Sequence, residues 1–131
     1  MKLSRICMVN YGHREARFND ILVDLRNPKD GTAPKTALFF GANGRGKTSF
    51  LSAVLHLLEP AKDNFVQKMQ KGPKHAFENY FSDGQAAFIF VEFTRSSSND
   101  LLAEEHPCLL LGSYVTKTGG TINETLYVIN P

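Results

Sequence analysis

Residues 41–48 read GANGRGKT, a stretch that satisfies the spacing G-x-x-x-x-G-K-[ST]. It stands between a short apolar run, Thr36-Ala37-Leu38-Phe39-Phe40, and a segment in which Leu51, Val54, Leu55 and Leu58 recur at i, i+3, i+4 and i+7. The apolar run, bounded by Pro34 and by glycines, predicts a strand buried on both faces. The recurrence predicts a helix of about three turns from Lys47, stopped by Pro60. Strand, glycine turn and helix in that order are the setting of a phosphate-binding loop. A glycine turn that only joined a strand to a helix would leave Lys47 and Thr48 at the helix start without a reason.

The spacing assigns a role to each position. Gly41 and Gly46 admit backbone angles that a Cβ would forbid, so the N–H groups of Ala42, Asn43, Gly44 and Arg45 can turn inward as an anion nest. The helix adds its unsatisfied first-turn N–H groups and the positive end of its dipole. Lys47 is the expected catalytic cation, reaching β and γ oxygens and offsetting charge that shifts during phosphoryl transfer. The Thr48 hydroxyl is the expected Mg²⁺ ligand, with phosphate oxygens, water and an acidic residue in the other positions. Ser49 can donate to the α phosphate from the first helical turn. The implied cofactors are ATP and Mg²⁺.

The remainder of the chain reads mainly as strands. Leu3 to Val9 and Arg17 to Leu25, joined by the polar, turn-like Tyr11 to Glu15, predict a hairpin, and the Asn27-Pro28-Lys29-Asp30-Gly31 cluster predicts a loop after it. Ala86 to Thr94 is the strongest strand signal, and Ser96 to Asp100 reads as a loop. Cys108 to Lys117 and Thr125 to Asn130 predict a second hairpin around Gly119-Gly120. Residues 61–83 are polar and basic, broken at Gly72-Pro73, with a short helix expected from Lys74 to Phe81. With 42% hydrophobic residues over 131 positions, the chain has enough apolar material for one compact domain and is no disordered tail.

Charge and composition exclude several classes. Fifteen Lys and Arg against thirteen Asp and Glu leave a net charge of +2, which rules out a protein that coats DNA non-specifically. No apolar run reaches the roughly 18 residues needed to span a bilayer, and no signal-peptide core follows Met1. The expectation is a soluble, cytoplasmic chain without a membrane partner. Cys7 and Cys108 form no CxxC pair and are expected as two buried, reduced thiols.

What the sequence lacks also constrains it. No guanine-reading Asn-Lys-x-Asp follows the loop. Phe88-Ile89-Phe90-Val91-Glu92 matches a Walker B strand superficially, but Phe93 continues the strand, so Glu92 is expected at an edge or facing solvent. The chain is therefore expected to bind Mg-nucleotide and not to hydrolyse it alone.

The inner loop, Asn43-Gly44-x-Gly46-Lys47-Thr48-Ser49, resembles the ABC-type form of Walker A. Together with Arg5-Ile6-Cys7-Met8-Val9-Asn10-Tyr11, Arg17-Phe18 and Leu38 to Val54, it resembles the N-terminal head lobe of SMC-like ATPases. Val9-Asn10-Tyr11 and Leu57-Leu58-Glu59-Pro60 lean towards the MukB and MksB condensins and related plasmid- and phage-defence ATPases. The resemblance covers residues 1–60 in sequence and 86–130 in architecture only. It implies an α/β fold, in which a mixed sheet with β-hairpins is joined by the P-loop strand and helix. It also implies that residues 1–131 are one lobe of a split head, a fragment of a longer chain. A C-terminal lobe would then supply the signature and Walker B motifs, and a second head would close an ATP-dependent dimer. DNA is implied as a partner of the assembly, with no contact assigned to this lobe and the nucleoid as a candidate location. No Q-loop glutamine can be assigned among Gln67, Gln70 and Gln85, and no switch histidine among His13, His56, His75 and His106. A small stand-alone P-loop kinase and a nucleotide-sensing module are the alternatives.

Blander readings accompany the sharper ones. Lys62, Lys68, Lys71, Lys74 and His75 read as a solvated face before they read as a DNA-binding strip. Arg14 and Arg17 could approach nucleotide or DNA, but surface pairing with Glu15 or Asp20 is the cheaper account. Phe39, Phe40, Phe88, Phe90 and Phe93 read as core, and His56 as a partly exposed helix residue.

Overall fold

In β1 (Lys2–Tyr11), Ser4, Ile6 and Met8 are buried and alternate with less buried neighbours. That period of two is what a strand with one covered face requires. Antiparallel to β1 runs β2 (Phe18–Asp24), with Cys7 opposite Leu22. β3 (Ala86–Thr94) buries Ala87, Ile89 and Val91 and lies antiparallel to the other side of β1. β4 (Cys108–Thr118) and β5 (Thr121–Ile129) form the second hairpin. Its turn is Gly119 at φ 58° and Gly120 at φ 80°, angles that a tight hairpin demands at both central positions and that glycine adopts without strain. A computed structural model describes residues 1–34, 36–60, 76–95 and 107–131. Its sheet runs β2-β1-β3-β4-β5 with every neighbouring pair antiparallel.

One helix, α1 (Lys47–Leu58), covers one face of this sheet, and a 3₁₀ turn at Phe77–Tyr80 extends the cover. Between them and the sheet lies the core: Ile6, Met8, Ile89, Val91 and Val115 against Ala53, Leu57, Phe77, Tyr80 and Phe81. The opposite face carries Cys7, Phe88, Phe90 and Tyr114. Gly112 is required there, because a Cβ would stand 2.5 Å from the Phe90 ring.

The expected α/β fold with a mixed sheet is overturned. The described chain is a five-stranded antiparallel sheet with a single helix, mostly β, and no parallel pairing. The P-loop strand is the missing element: residues 36–40 have no strand hydrogen bonding, and Leu38 and Phe40 are 84% and 89% exposed. The physical reason is a want of partners. A strand buried on both faces needs neighbours on both edges, and among the described residues the five strands pair only with one another.

The helix forms where expected, but its buried face is rotated. Ser49, Ser52, Ala53, His56 and Leu57 face the sheet, while Leu51 and Leu58 of the apolar stripe are exposed. Small residues let the helix approach closely, and polar anchors fix its rotation. The Tyr11 and Ser52 hydroxyls lie 2.5 Å apart, and His56 Nε2 is 2.6 Å from Glu124 Oε1, which also accepts from Ser113 Oγ at 2.5 Å. His56 is thus buried, against the expectation of partial exposure.

Three further expectations are corrected. Glu92 is neither at an edge nor in solvent: it is 7% exposed on the central strand. The register shifts between Leu3 and Arg5, a β-bulge that sets Ser4 and Arg5 together opposite Glu92, and both bond to its carboxylate. Phe39 and Phe40 are exposed, so they are not core residues. Cys7 and Cys108 are free thiols but only half-buried. The basic residues between Lys62 and His75, the loop from Ser96 and His106 lie outside the described residues.

Candidate functional site

The glycine-rich loop ends on Gly46, the residue before α1, at φ 84°, with Gly44 at φ 76°. Positive φ at both reverses successive peptide planes, which is how a nest of N–H groups is formed. Gly46 is doubly constrained, since a Cβ there would stand 2.7 Å from the Phe18 ring. Gly41, by contrast, has no positive φ and open space around it, so the freedom expected of it belongs to Gly44. No side chain caps the helix and no acidic residue lies in its first turn. The positive end of the dipole therefore goes uncompensated by carboxylate.

Lys47 Nζ donates to the carbonyls of Gly41 at 2.6 Å and Ala42 at 2.7 Å, folding the ammonium back over the loop. Thr48 is exposed in the first helical turn. Its hydroxyl fits one position of a Mg²⁺ ion whose remaining ligands are phosphate oxygens and water. Among the described residues no group of three or more His, Cys, Asp or Glu could hold a metal ion. Ser49 is buried, and its Oγ accepts the backbone N–H of His13 at 3.1 Å. That bond ties the β1–β2 turn to the helix start.

A cleft of about 770 Å³ opens beside the loop. Asn43, Gly44, Gly46, Lys47, Thr48 and Ser49 form one wall, the His13–Arg17 turn the second, and the Asn79–Asp83 segment with Lys117 the third. Of the expected loop residues, Gly41, Ala42 and Arg45 are exposed but not part of this lining.

The third wall is firmly built. Gly12 N–H donates to Tyr80 O at 3.1 Å and Gly84 N–H to Lys117 O at 2.9 Å. Arg17 donates through Nε to Gly12 O at 2.9 Å, and also to Ser82 Oγ and Asn79 O. It therefore rivets two walls together instead of pairing with Glu15 or Asp20. Burial lowers its affinity for the proton from the usual guanidinium value. From the far side Lys117 Nζ donates to Glu78 O at 2.9 Å.

Arg14, Arg17, Lys47 and Lys117 outnumber Glu15 and Asp83 around the cleft. The balance favours a polyanion. Sequence reasoning found the first wall, doubted the second and missed the third. The only local sign of that third wall was the expected short helix ending at Phe81.

In comparisons with known proteins, no family model matches the chain. No curated protein matches it either.

Proposed function

We propose that the chain binds ATP with Mg²⁺ through residues 41–49 and serves as the nucleotide-binding part of an SMC-like, DNA-associated ATPase. Hydrolysis then requires groups from elsewhere: a segment with signature and Walker B motifs, and a second ATP-bound copy of the assembly. The observation that carries the reading is the coincidence of the G-x-x-x-x-G-K-T string with positive φ at Gly44 and Gly46, at the mouth of a cation-lined cleft. The SMC-like part rests on the resemblance of residues 1–60. DNA contact is assigned to the assembly and not to these residues, and a cytoplasmic, nucleoid-associated setting goes with it.

Calorimetric titration of the chain with Mg-ATP tests the first step. Binding is expected, and Lys47→Ala is expected to abolish it with the thermal transition unchanged. Undiminished binding by Lys47→Ala would remove the phosphate-loop assignment. Turnover of ATP by these residues alone would remove the requirement for a completing partner.

A further inference from the structure

Two adjacent amides of the β1–β2 turn are bonded to different walls of the cleft. His13 N–H donates to Ser49 Oγ at 3.1 Å, in the first turn of the helix that follows the phosphate loop. Gly12 N–H donates to Tyr80 O at 3.1 Å, on the Asn79–Asp83 wall. The turn leaves little slack between them, since Gly12 lies at φ 130° and a Cβ there would stand 3.1 Å from Ala16 O and 3.4 Å from Ser49 Oγ. Ala16 and Phe18 stand in turn against Gly46, the last glycine of the loop. A Cβ on Gly46 would lie 3.3 Å from Ala16 O and 2.7 Å from the Phe18 ring.

Arg17 comes between those two residues, so its backbone is fixed beside the loop while its guanidinium is bonded to the wall. Nη1 donates to Ser82 Oγ and Nη2 to Asn79 O at 3.3 Å, with Nε on Gly12 O at 2.9 Å. All three acceptors are neutral, so the positive charge has no local counter-charge among them, and an anion in the cleft favours keeping it in place. A planar fork can hold three acceptors at once in fixed directions, which a lysine ammonium on a flexible stem does not reproduce.

We propose that Arg17 is the positioning residue of this cleft: through it, an anion seated in the phosphate loop draws the β1–β2 turn and the Asn79–Ser82 wall together, so that loop and wall order as one unit. By linkage the seated wall tightens anion binding by the same factor. The inference rests on the phosphate-loop reading above and adds to it the residue that carries occupancy of the loop to the third wall.

The test is residue-resolved amide exchange on the unaltered chain, Arg17→Lys and Ser82→Ala, with and without saturating inorganic tripolyphosphate and Mg²⁺, and calorimetry to establish binding. Tripolyphosphate carries no sugar or base to bridge the walls by itself. His13 N–H reports the loop side and Gly12 N–H the wall side. In the unaltered chain the anion is expected to slow exchange at both amides by about fivefold, the lower end of an ordinary coupling. In Arg17→Lys, which keeps the charge and loses the fork, the anion is expected to bind about fivefold more weakly, to slow His13 as before and to leave Gly12 unchanged. A role confined to fold stability would instead speed both amides together whether or not the anion is present, and that result overturns the proposal. Ser82→Ala removes one acceptor from the wall and leaves Arg17 in place, so part of the slowing at Gly12 is expected to go. It answers the same question should Arg17→Lys not fold. Slowing at Gly12 that survives undiminished in the folded variant, or slowing at His13 alone or at neither amide in the unaltered chain, overturns the proposal and leaves the phosphate loop standing. Failure of tripolyphosphate and Mg-ATP alike to bind overturns both readings together.

Discussion

At the scale of single residues, the clearest energetic statement concerns Glu92. Its hydrogen bond from the Arg5 guanidinium, opposed in part by burial and aided by Ser4, holds its carboxyl below the ordinary value of 4.5. A carboxyl whose pKa is lower in the folded chain contributes stability that is complete above the unfolded value and is lost as pH falls through the folded one. Asp24 is shifted the same way, down to about 2 by the Arg26 side chain, but the pair lies at the surface and carries little weight. Glu92→Gln is therefore expected to destabilise the chain by about 1–3 kcal/mol at neutral pH, since Arg5 and Ser4 lose a charged acceptor. As pH falls below 4.5 toward the lowered folded value, the two proteins should converge. Thermal melts from pH 7 downward check this, and a deficit that does not shrink at any acid pH at which both proteins still fold would show that the ion pair is not its source. The sequence shows Glu92 at the end of an apolar strand. It cannot show that a bulge 88 residues earlier brings Ser4 and Arg5 across from it. Cross-strand register is a long-range property, and even in the glycine loop the sequence located positive φ at Gly46 but placed at Gly41 the freedom that belongs to Gly44.

At the scale of elements, the positions of the five paired strands were legible because their turns and alternation mark them, whereas the strand expected at 36–40 is absent. β3 begins and ends where its apolar run does, at Ala86 and Thr94. The helix was legible in extent but not in rotation. Apolar spacing identifies a stripe at Leu51, Val54, Leu55 and Leu58, yet the sheet takes the neighbouring stripe, where Ser52 and Ala53 permit close approach and His56 meets Glu124. Val54 and Leu55 remain at the rim of the core, so the rotation amounts to a partial turn. Hydrophobic periodicity weighs side chains by their transfer energy alone, and here polar anchors and backbone proximity decide. The consequence can be measured with one pair of variants. Leu57→Ala is expected to cost about 2–4 kcal/mol through the cavity it leaves. Leu51→Gln, at a position 55% exposed, should stay within about 0.5 kcal/mol of the parent. Denaturant melts compare them directly. The reverse order of costs would mean that α1 docks through the stripe its sequence displays.

At the scale of the whole molecule, exposed apolar residues that the sequence predicted as core gather on one stretch of chain, from Leu38 to Leu58. Leu38 and Phe40 are almost wholly in water, and Leu51 and Leu58 of the adjoining helix are more than half exposed. Apolar residues in that concentration on one stretch of chain are unusual for a surface that stays open. Phe39 illustrates the tension: it is 42% exposed, with its ring beside Phe50, 4.4 Å away between centroids. The apolar run that predicted a doubly buried strand forms no strand and is exposed; what it lacks among the described residues is a pair of neighbouring strands. The core of the sheet does not depend on it, because Ile6, Met8, Ile89, Val91 and Val115 are buried by α1 and the 3₁₀ turn without help from residues 36–40. Replacing both Leu38 and Phe40 by Ser should therefore leave the thermal midpoint within the scatter of repeated melts. The same replacement should sharply reduce binding of a hydrophobic dye and any concentration-dependent self-association, both of which report exposed apolar area. A loss of stability larger than about 1 kcal/mol, the usual ceiling for surface changes being near half that, would place the segment in the core after all. Unchanged dye binding would locate the exposed apolar surface elsewhere, the next candidate being the edge strand β5, where Leu126, Val128 and Ile129 are all more than 40% exposed.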